Sequence, residues 1–314
     1  MNTFYSNGKL LLTGEYVVLD GALSLAVPTK QGQSLIIENI NEPKIIWKSL
    51  DEKGVIWFKD QFEFELKTNE ILNQTKDNET THRLIQILNA AKQLNSEFLK
   101  NNKGFQITTK LDFPSNWGLG TSSTLINNIA QWANVDAYKL LKKTFGGSGY
   151  DIACTQYNKP LTYQLKTANK ILNQVQDEKR IIKEVNFNPS FKEHLYFVHL
   201  NKKQNSRDGI KHYHENKSDS KSAVFEISEI TKNMISCNNL KDFEVLINQH
   251  ENIISKLTKQ TPVKTLLFSD FKGQIKSLGA WGGDFVLVTS SSNPTKYFKE
   301  KGFKTIISYQ NMVY

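Results

Sequence analysis

The chain has 314 residues, a formal net charge of +9 and 39% hydrophobic residues, proportions that suit a soluble globular protein of two domains or one large α/β unit. No apolar run is long enough to span a bilayer: L10-L-L and F285-V-L-V288 have the length of core strands. Lysines are scattered rather than striped with aromatics, which argues against nucleic acid and is compatible with attracting phosphorylated ligands. The start, M1-N-T-F-Y-S-N-G-K9, has neither the basic nor the hydrophobic region of a signal peptide. Cys154 and Cys237 supply no disulfide framework, so a reducing cytoplasm is expected.

In chain order, K9-L-L-L-T, Y16-V-V-L and L23-S-L-A-V read as strands, with a turn at Asp20-Gly21. S34-L-I-I-E, K44-I-I-W-K, V55-I-W-F-K and F62-E-F-E-L continue the β-rich pattern. Leu84, Ile87, Leu88, Ala91, Leu94 and Phe98 recur at helical spacing and predict a helix over 81–99. F105-Q-I-T-T-K-L is the next strand and leads into N116-W-G-L-G-T-S-S-T124. Helices are predicted over 124–132 and 137–144, the second with Asp136 as N-cap. G146-G-S-G149 then opens into Y150-D-I-A-C-T, and L161-T-Y-Q-L resumes strand. The polar stretch 169–192 is the best boundary, giving domains 1–180 and 181–314. Beyond it lie strand L195-Y-F-V-H-L, helices over 222–236 and 242–258, and strand 285–289. Strands and helices mix without βαβα regularity, so the fold class is α+β with two lobes.

Three glycine clusters need a reason. G118-L-G120 precedes a helix, whose first N–H groups and partial positive charge favour a phosphate, and glycine lets backbone approach the anion closely. Capping accounts for one of the hydroxyls of Thr121, Ser122 and Ser123 but not for three. G146-G-S-G-Y-D151 sets an acid just after a flexible turn, and G279-A-W-G-G-D284 sets another before a buried strand. No Walker loop, dinucleotide fingerprint or protein-kinase glycine loop is present. His212 and His214, on a loop or strand without acid or Cys at ligand spacing, are surface residues and predict no zinc.

Three segments together resemble the three motifs of the GHMP kinase superfamily. They are G8-K-L-L-L-T-G-E-Y-V-V-L-D-G21, the run Pro-Ser-Asn-Trp-Gly-Leu-Gly-Thr-Ser-Ser from Pro114 to Ser123, and G279-A-W-G-G-D284. The likeness spans nearly the whole chain. G14-E-Y-V-V-L19 and G282-G-D284 look most like phosphomevalonate kinase, with mevalonate kinase close behind, and G149-Y-D-I-A153 resembles the GYDIA-type bacterial branch. The resemblance implies an N-terminal lobe similar to ribosomal protein S5 domain 2 and a ferredoxin-like C-terminal lobe. It implies an ATP- and Mg2+-dependent kinase of a small anionic acceptor, most readily mevalonate 5-phosphate or mevalonate, working as a monomer or homodimer without nucleic acid or membrane.

Carried over by residue, Gly118, Leu119, Gly120, Thr121, Ser122 and Ser123 become the ATP phosphate loop, with Ser122 the Mg2+ ligand. Asp151 becomes the base and Lys9 its companion. Glu15, Tyr16, Ser148, Gly149, Ser206 and Gly282 become acceptor-binding residues, and G279–D284 is expected to support the loop from the other lobe. The segment K202-K-Q-N-S-R207 resembles a basic stretch that closes over the substrate. Two departures stand out. The acidic Mg2+ ligand of mevalonate kinases, eleven residues before the base, is here Leu140 (151 − 11), and the nearest upstream acid is Asp136. Trp117 and Trp281 occupy glycine loops where relatives have small residues, open to narrowing the nucleotide site, stacking on adenine or packing on other residues. The rival readings are a diphosphomevalonate decarboxylase-like enzyme and a nucleotide- or metabolite-binding relative without activity.

Overall fold

A computed structural model describes residues 1–64, 71–72, 78–100, 103–166, 180–217 and 220–314. In chain order these form β1 (Asn2–Leu11), a 3-10 turn (Val17–Asp20), β2 (Ser24–Ile40), β3 (Lys44–Leu50), β4 (Ile56–Phe64), β5 (Ile71–Leu72), α1 (Glu79–Leu94), β6 (Gly104–Leu111), α2 (Thr121–Ala133), α3 (Ala137–Thr144) and α4 (Tyr150–Gln156). There follow β7 (Leu161–Leu165), β8 (Arg180–Glu184), β9 (Leu195–His199), α5 (Ser206–Asn216), α6 (Lys221–Ser236), α7 (Leu240–Thr258), α8 (Val263–Leu267), β10 (Ile275–Ser277), β11 (Phe285–Thr289), α9 (Thr295–Glu300), β12 (Ile306–Ser308) and α10 (Tyr309–Met312). The class is α+β.

The chain folds into two compact units, interleaved in sequence rather than divided by one cut near 180. The first comprises 1–8, 31–115 and 119–156; the second comprises 9–30, 116–118 and 157–314. Strand β2 changes unit at Lys30/Gln31.

In the first unit, β3 lies antiparallel to β4 and parallel to β6, and β6 is antiparallel to the second half of β2, with Ile45 opposite Phe105 and Ile37 opposite Ile107. Helices α1–α4 share the core of this sheet: Ile37, Ile45, Trp47, Phe62, Leu84, Leu88, Ile107, Ile126, Ile129, Leu140 and Ile152 pack as one buried cluster. The alternation in β3 and β6 and the 3-and-4 spacing in α1 and α2 make this possible.

In the second unit, the first half of β2 pairs with β7, and β7 with β8. A separate antiparallel sheet runs β10-β11-β9-β12. Its core includes Val198, Leu200, Phe268, Ile275, Val286, Val288 and Phe298. Helix α6 packs on α7, and α7 on β10. Among the described residues, no helix is long and apolar enough to cross a membrane. Cys154 and Cys237 form no disulfide.

Several boundaries differ from the sequence reading. Y16-V-V-L is not a strand: Gly14 and Tyr16 take positive φ, Val18 N–H reaches the Gly14 carbonyl, and the run closes into a 3-10 turn ended by left-handed Gly21. A short apolar run fits either form, and the flanking glycines decide. L23–V27 and S34–E38 join in one strand, β2. Helix α1 starts earlier, because Asn78 accepts from Thr80 N–H, and stops at extended Asn95; Phe98 and Leu99 stay buried in the turn that follows. His212 and His214 lie on α5, where Asn205 caps the N-terminus. The end of the predicted strand 62–66 and residues 169–179 of the polar stretch fall outside the described residues.

Candidate active site

The candidate residues divide between the units, and each group builds its own local structure. Leu119–Ser123, Ser148, Gly149 and Asp151 belong to the first unit. Lys9, Glu15, Tyr16, Gly118, Ser206 and Gly282 belong to the second.

In the first unit, helix α2 begins at Thr121, three residues before the predicted start. Its N-cap is Gly120, left-handed at φ 97°, and no side chain caps the first turn. Ser123 donates back to the Gly120 carbonyl at 2.9 Å, and Thr124 donates to Gln33 Oε1 at 2.7 Å. Both hydroxyls therefore serve the protein's own structure. Ser122 is exposed and Thr121 half-buried, so the open end of a 13-residue helix carries two accessible hydroxyls. That arrangement fits a phosphate group.

Beneath the loop lies a buried polar network. Asn128 donates to the Gln33 carbonyl at 2.9 Å; Ser6 donates to Asn128 at 2.7 Å; Asn127 donates to Ser6 at 2.9 Å. Gln156, at the end of α4, donates to Asn127 at 3.0 Å. The network ties α2 to the helix that carries Asp151. Gly146, Gly147 and Gly149 all take positive φ on the way into α4, a path closed to most side chains. Ser148 Oγ accepts from Tyr150 N–H at 3.5 Å, and Asp151 sits half-buried in the first turn, accepting from Ile152 N–H at 3.1 Å.

The two positions that bear on the missing acidic ligand are occupied by structure. Leu140 is fully buried in the core, and Asp136 caps α3 by accepting from Tyr138 and Lys139 N–H. Among the described residues, no group of three or more His, Cys, Asp or Glu could hold a metal.

In the second unit, Lys9 Nζ donates to the Gly118 carbonyl at 2.9 Å. Asp284 packs on the other side of Gly118: a Cβ added there would meet the Asp284 carboxyl at 2.3–2.7 Å, so only glycine fits. Burial pushes the Asp284 carboxyl up, against the opposing pull of Lys9, the Gln204 N–H, His199 and Lys203. G279–D284 thus meets the glycine loop at Gly118.

Glu15 is an interior residue of the second unit. It is buried, and Lys276 Nζ lies 2.5 Å from its Oε1. His250 Nε2 lies 3.1 Å from both Gly14 N–H and Glu15 Oε2; it accepts from Gly14, which leaves Oε2 without a donor. Burial alone would raise the Glu15 carboxyl, but the Lys276 charge outweighs it and holds it below the usual range. Burial and the Lys276 charge push His250 down to about 4, while burial pushes Glu251 up to about 7 despite Lys276. Ser277 donates to Glu251 at 2.9 Å and completes the cluster. No local signal marks this cluster in the sequence, since Glu15 and Lys276 are 261 positions apart.

Tyr16 is buried too. Its ring stacks on Tyr213 of α5 with centroids 5.5 Å apart, and its hydroxyl accepts from Trp281 N–H at 3.2 Å, next to Gly282. Gly209 lets α5 approach: a Cβ there would lie 2.9 Å from the Tyr16 hydroxyl. Asp20 fixes the other end of α5, accepting from Tyr213 at 2.5 Å, Lys217 at 2.8 Å and Ser220 at 2.7 Å. Ser206 and Arg207 open α5 as exposed residues, and Gly282 is exposed with φ 87°. Trp117 sets its edge on Phe285, centroids 5.4 Å apart, and Trp281 is buried, so both rings pack within the unit.

The sequence itself matches no family model and no curated protein. Solved structures do match it along nearly its whole length. The phosphomevalonate kinase of Streptococcus pneumoniae, solved with phosphomevalonate and AMPPNP, has a TM-score of 0.68 at 14% identity, covering 98% of this chain and 100% of its own. The mevalonate kinase of Methanococcus jannaschii has a TM-score of 0.65 at 17% identity, over 97% and 96%. The fold is that of the GHMP kinases. A mevalonate diphosphate decarboxylase from Legionella pneumophila shares it with a TM-score of 0.56 at 12% identity, over 97% and 99%. At these identities the likeness is one of fold. Within the GHMP kinase fold the three motifs keep their order, and Glu15 and Tyr16 are interior residues.

Proposed function

We propose that the chain is an ATP- and Mg2+-dependent phosphotransferase acting on a small anionic acceptor, with mevalonate 5-phosphate the leading acceptor and mevalonate next. The observation that carries this reading is the uncapped start of α2, with Ser122 exposed. Backbone N–H groups aimed outward from a helix end stabilise phosphate oxygens without rearrangement. The complex of the pneumococcal enzyme with phosphomevalonate and AMPPNP supports the choice of acceptor.

Phosphoryl transfer to an oxygen nucleophile is mostly positioning and charge stabilisation. Gly118–Ser123 would hold the nucleotide's phosphates, and Ser122 would hold Mg2+, which when bound neutralises charge on the phosphate oxygens. Asp151 would take the proton from an attacking hydroxyl, or orient a phosphate oxygen that needs no deprotonation. Lys9 would place a positive charge at the loop through its bond to the Gly118 carbonyl. Arg207 and Ser206, exposed at the start of α5, suit the anionic end of an acceptor. Glu15 has no part in acceptor binding on this reading.

A binding protein without turnover is the second reading, favoured by Leu140 lying in the core where an acidic ligand would be expected. Coupled ADP release with ATP and Mg2+ against mevalonate, its 5-phosphate, its 5-diphosphate, homoserine and galactose separates the two. Turnover of one acceptor, reduced by roughly a thousandfold in Asp151→Asn, is the expected result. ATP binding with no ADP release from any acceptor would support the second reading instead, and CO2 release from the diphosphate would move the activity to the decarboxylase class.

A further inference from the structure

An acid beside an anion-binding loop works against the loop unless it has another task. Asp284 is such an acid, and its surroundings state the task. Its backbone is held on both sides by the 200–204 segment: Asp284 N–H donates to the Lys202 carbonyl at 2.7 Å, and its carbonyl accepts from Leu200 N–H at 2.8 Å. One carboxylate oxygen, Oδ1, accepts from Gln204 N–H at 3.2 Å. The carboxyl then faces Gly118, with Oδ2 lying 2.4 Å from the point where a Cβ would stand. Lys9 Nζ is bonded to the carbonyl of that same glycine.

We propose that Asp284 is the positioning residue for Lys9: its carboxylate, fixed against Gly118, holds the ammonium on the Gly118 carbonyl and so aims it at the phosphate loop. The inference rests on the phosphotransferase reading and adds a residue to it. The two other basic groups near Asp284 have their own tasks or exposure. His199 Nδ1 accepts from Asn201 N–H at 3.3 Å and its Nε2 lies 3.1 Å from the Asn116 carbonyl, so both ring nitrogens are committed to backbone partners. Lys203 is exposed on the strand-to-helix connection. Conformation does not explain the acid. Asp284 has φ 52°, a left-handed value that Asn or Gly meets equally well, and two glycines already precede it. The negative charge is what distinguishes aspartate here.

That equivalence supplies a clean variant. Asp284→Asn keeps the left-handed backbone and the acceptor for Gln204 N–H and removes only the charge. In the ADP-release assay with mevalonate 5-phosphate, Asp284→Asn is expected to lower kcat by roughly ten- to a hundredfold, the effect of one oriented bond to a charged group, with KM for ATP little changed. Lys9→Met is expected to lower kcat at least as much. The double variant should be no slower than Lys9→Met alone, because Asp284 acts through the lysine. Additive losses, or a loss confined to Mg2+ affinity, would overturn the proposal and make Asp284 a direct contact. A second measurement needs no turnover: in the resting protein, the 1H–15N ammonium resonance of Lys9, assigned by its absence in Lys9→Met, should shift or broaden in Asp284→Asn. An unchanged resonance overturns the proposal. If the wild-type protein turned over none of the acceptors, the phosphotransferase reading would fall while the resonance still decided whether Asp284 holds Lys9.

Discussion

The start of α2 and the Glu15 cluster both follow a positive-φ glycine, Gly120 and Gly14, and they end in opposite states. At α2, no side chain caps the first turn and Ser122 faces solvent. Around Glu15, Lys276, His250, Glu251 and Ser277 close over the acid until nothing is exposed. Elsewhere Asn78, Asp136, Asn205 and Asn239 accept from first-turn N–H groups, while α6, α8, α9 and α10 share with α2 the lack of a side-chain cap. What sets the α2 start apart is its setting, a left-handed glycine followed by an exposed hydroxyl, whereas the acid is enclosed by its own partners and holds a loop.

The largest effect should come from opening the enclosed region. Lys276→Met leaves Glu15 charged and buried without its partner, which typically costs about 3–5 kcal/mol. Thermal unfolding should show a drop of many degrees, and Glu15→Gln in the same chain should restore part of it. A double variant no more stable than Lys276→Met would break the view that the pair holds the loop. The open region should behave in the contrary way. Ser122→Ala removes an exposed hydroxyl, so the melting temperature should hold, while Mg2+-dependent turnover falls by roughly ten- to a hundredfold, as for one lost contact to a charged group. Loss of stability with retained turnover would reverse the roles of the two regions.

A pH titration sharpens the comparison further. The Glu251 carboxyl is raised from 4.5 to about 7 in the folded state, so its contribution is present below 4.5 and is lost as pH rises to 7. His250 is lowered from 6.5 to about 4, so its contribution is lost as pH falls from 6.5 to 4. The two slopes oppose each other between about 4.5 and 6.5. Glu251→Gln removes one of them, so the variant's melting temperature should climb with pH across that window more steeply than the wild type's. Parallel curves would show that the pair does not titrate this way. The smallest effect belongs to Tyr213→Phe, which takes one of three donors from Asp20 and should cost about 1 kcal/mol in denaturant unfolding.

The regular elements were legible because they repeat: alternation set β3 and β6, and 3-and-4 spacing set α1 and α7. The α2 loop was legible because glycines and hydroxyls crowd into nine positions. Burial was not legible from proximity in sequence. Glu15 and Tyr16 stand beside Lys9 and share its motif, yet one step along a turned backbone sends their side chains inward, and Tyr16 itself takes φ 64°. Their partners, Lys276 on β10 and Tyr213 on α5, lie hundreds of residues away and carry no mark of the pairing. Asp284 was visible as the end of a motif, but its charge relation to Lys9 depends on the shared glycine and could not be read from spacing.

The interleaving of the two units has a consequence for how the protein is made. A ribosome delivers every residue of the first unit by position 156, yet residues 9–30 belong to the second. Glu15 leaves the exit tunnel 261 residues ahead of Lys276 and cannot meet it until that length of chain has followed. Throughout that interval the acid is solvated and unpaired, and the turn it anchors has no floor. Closing the Glu15 cluster is therefore a late step of biogenesis, and a nascent chain stalled before residue 276 should carry a finished first unit with an unsettled stretch from 9 to 30.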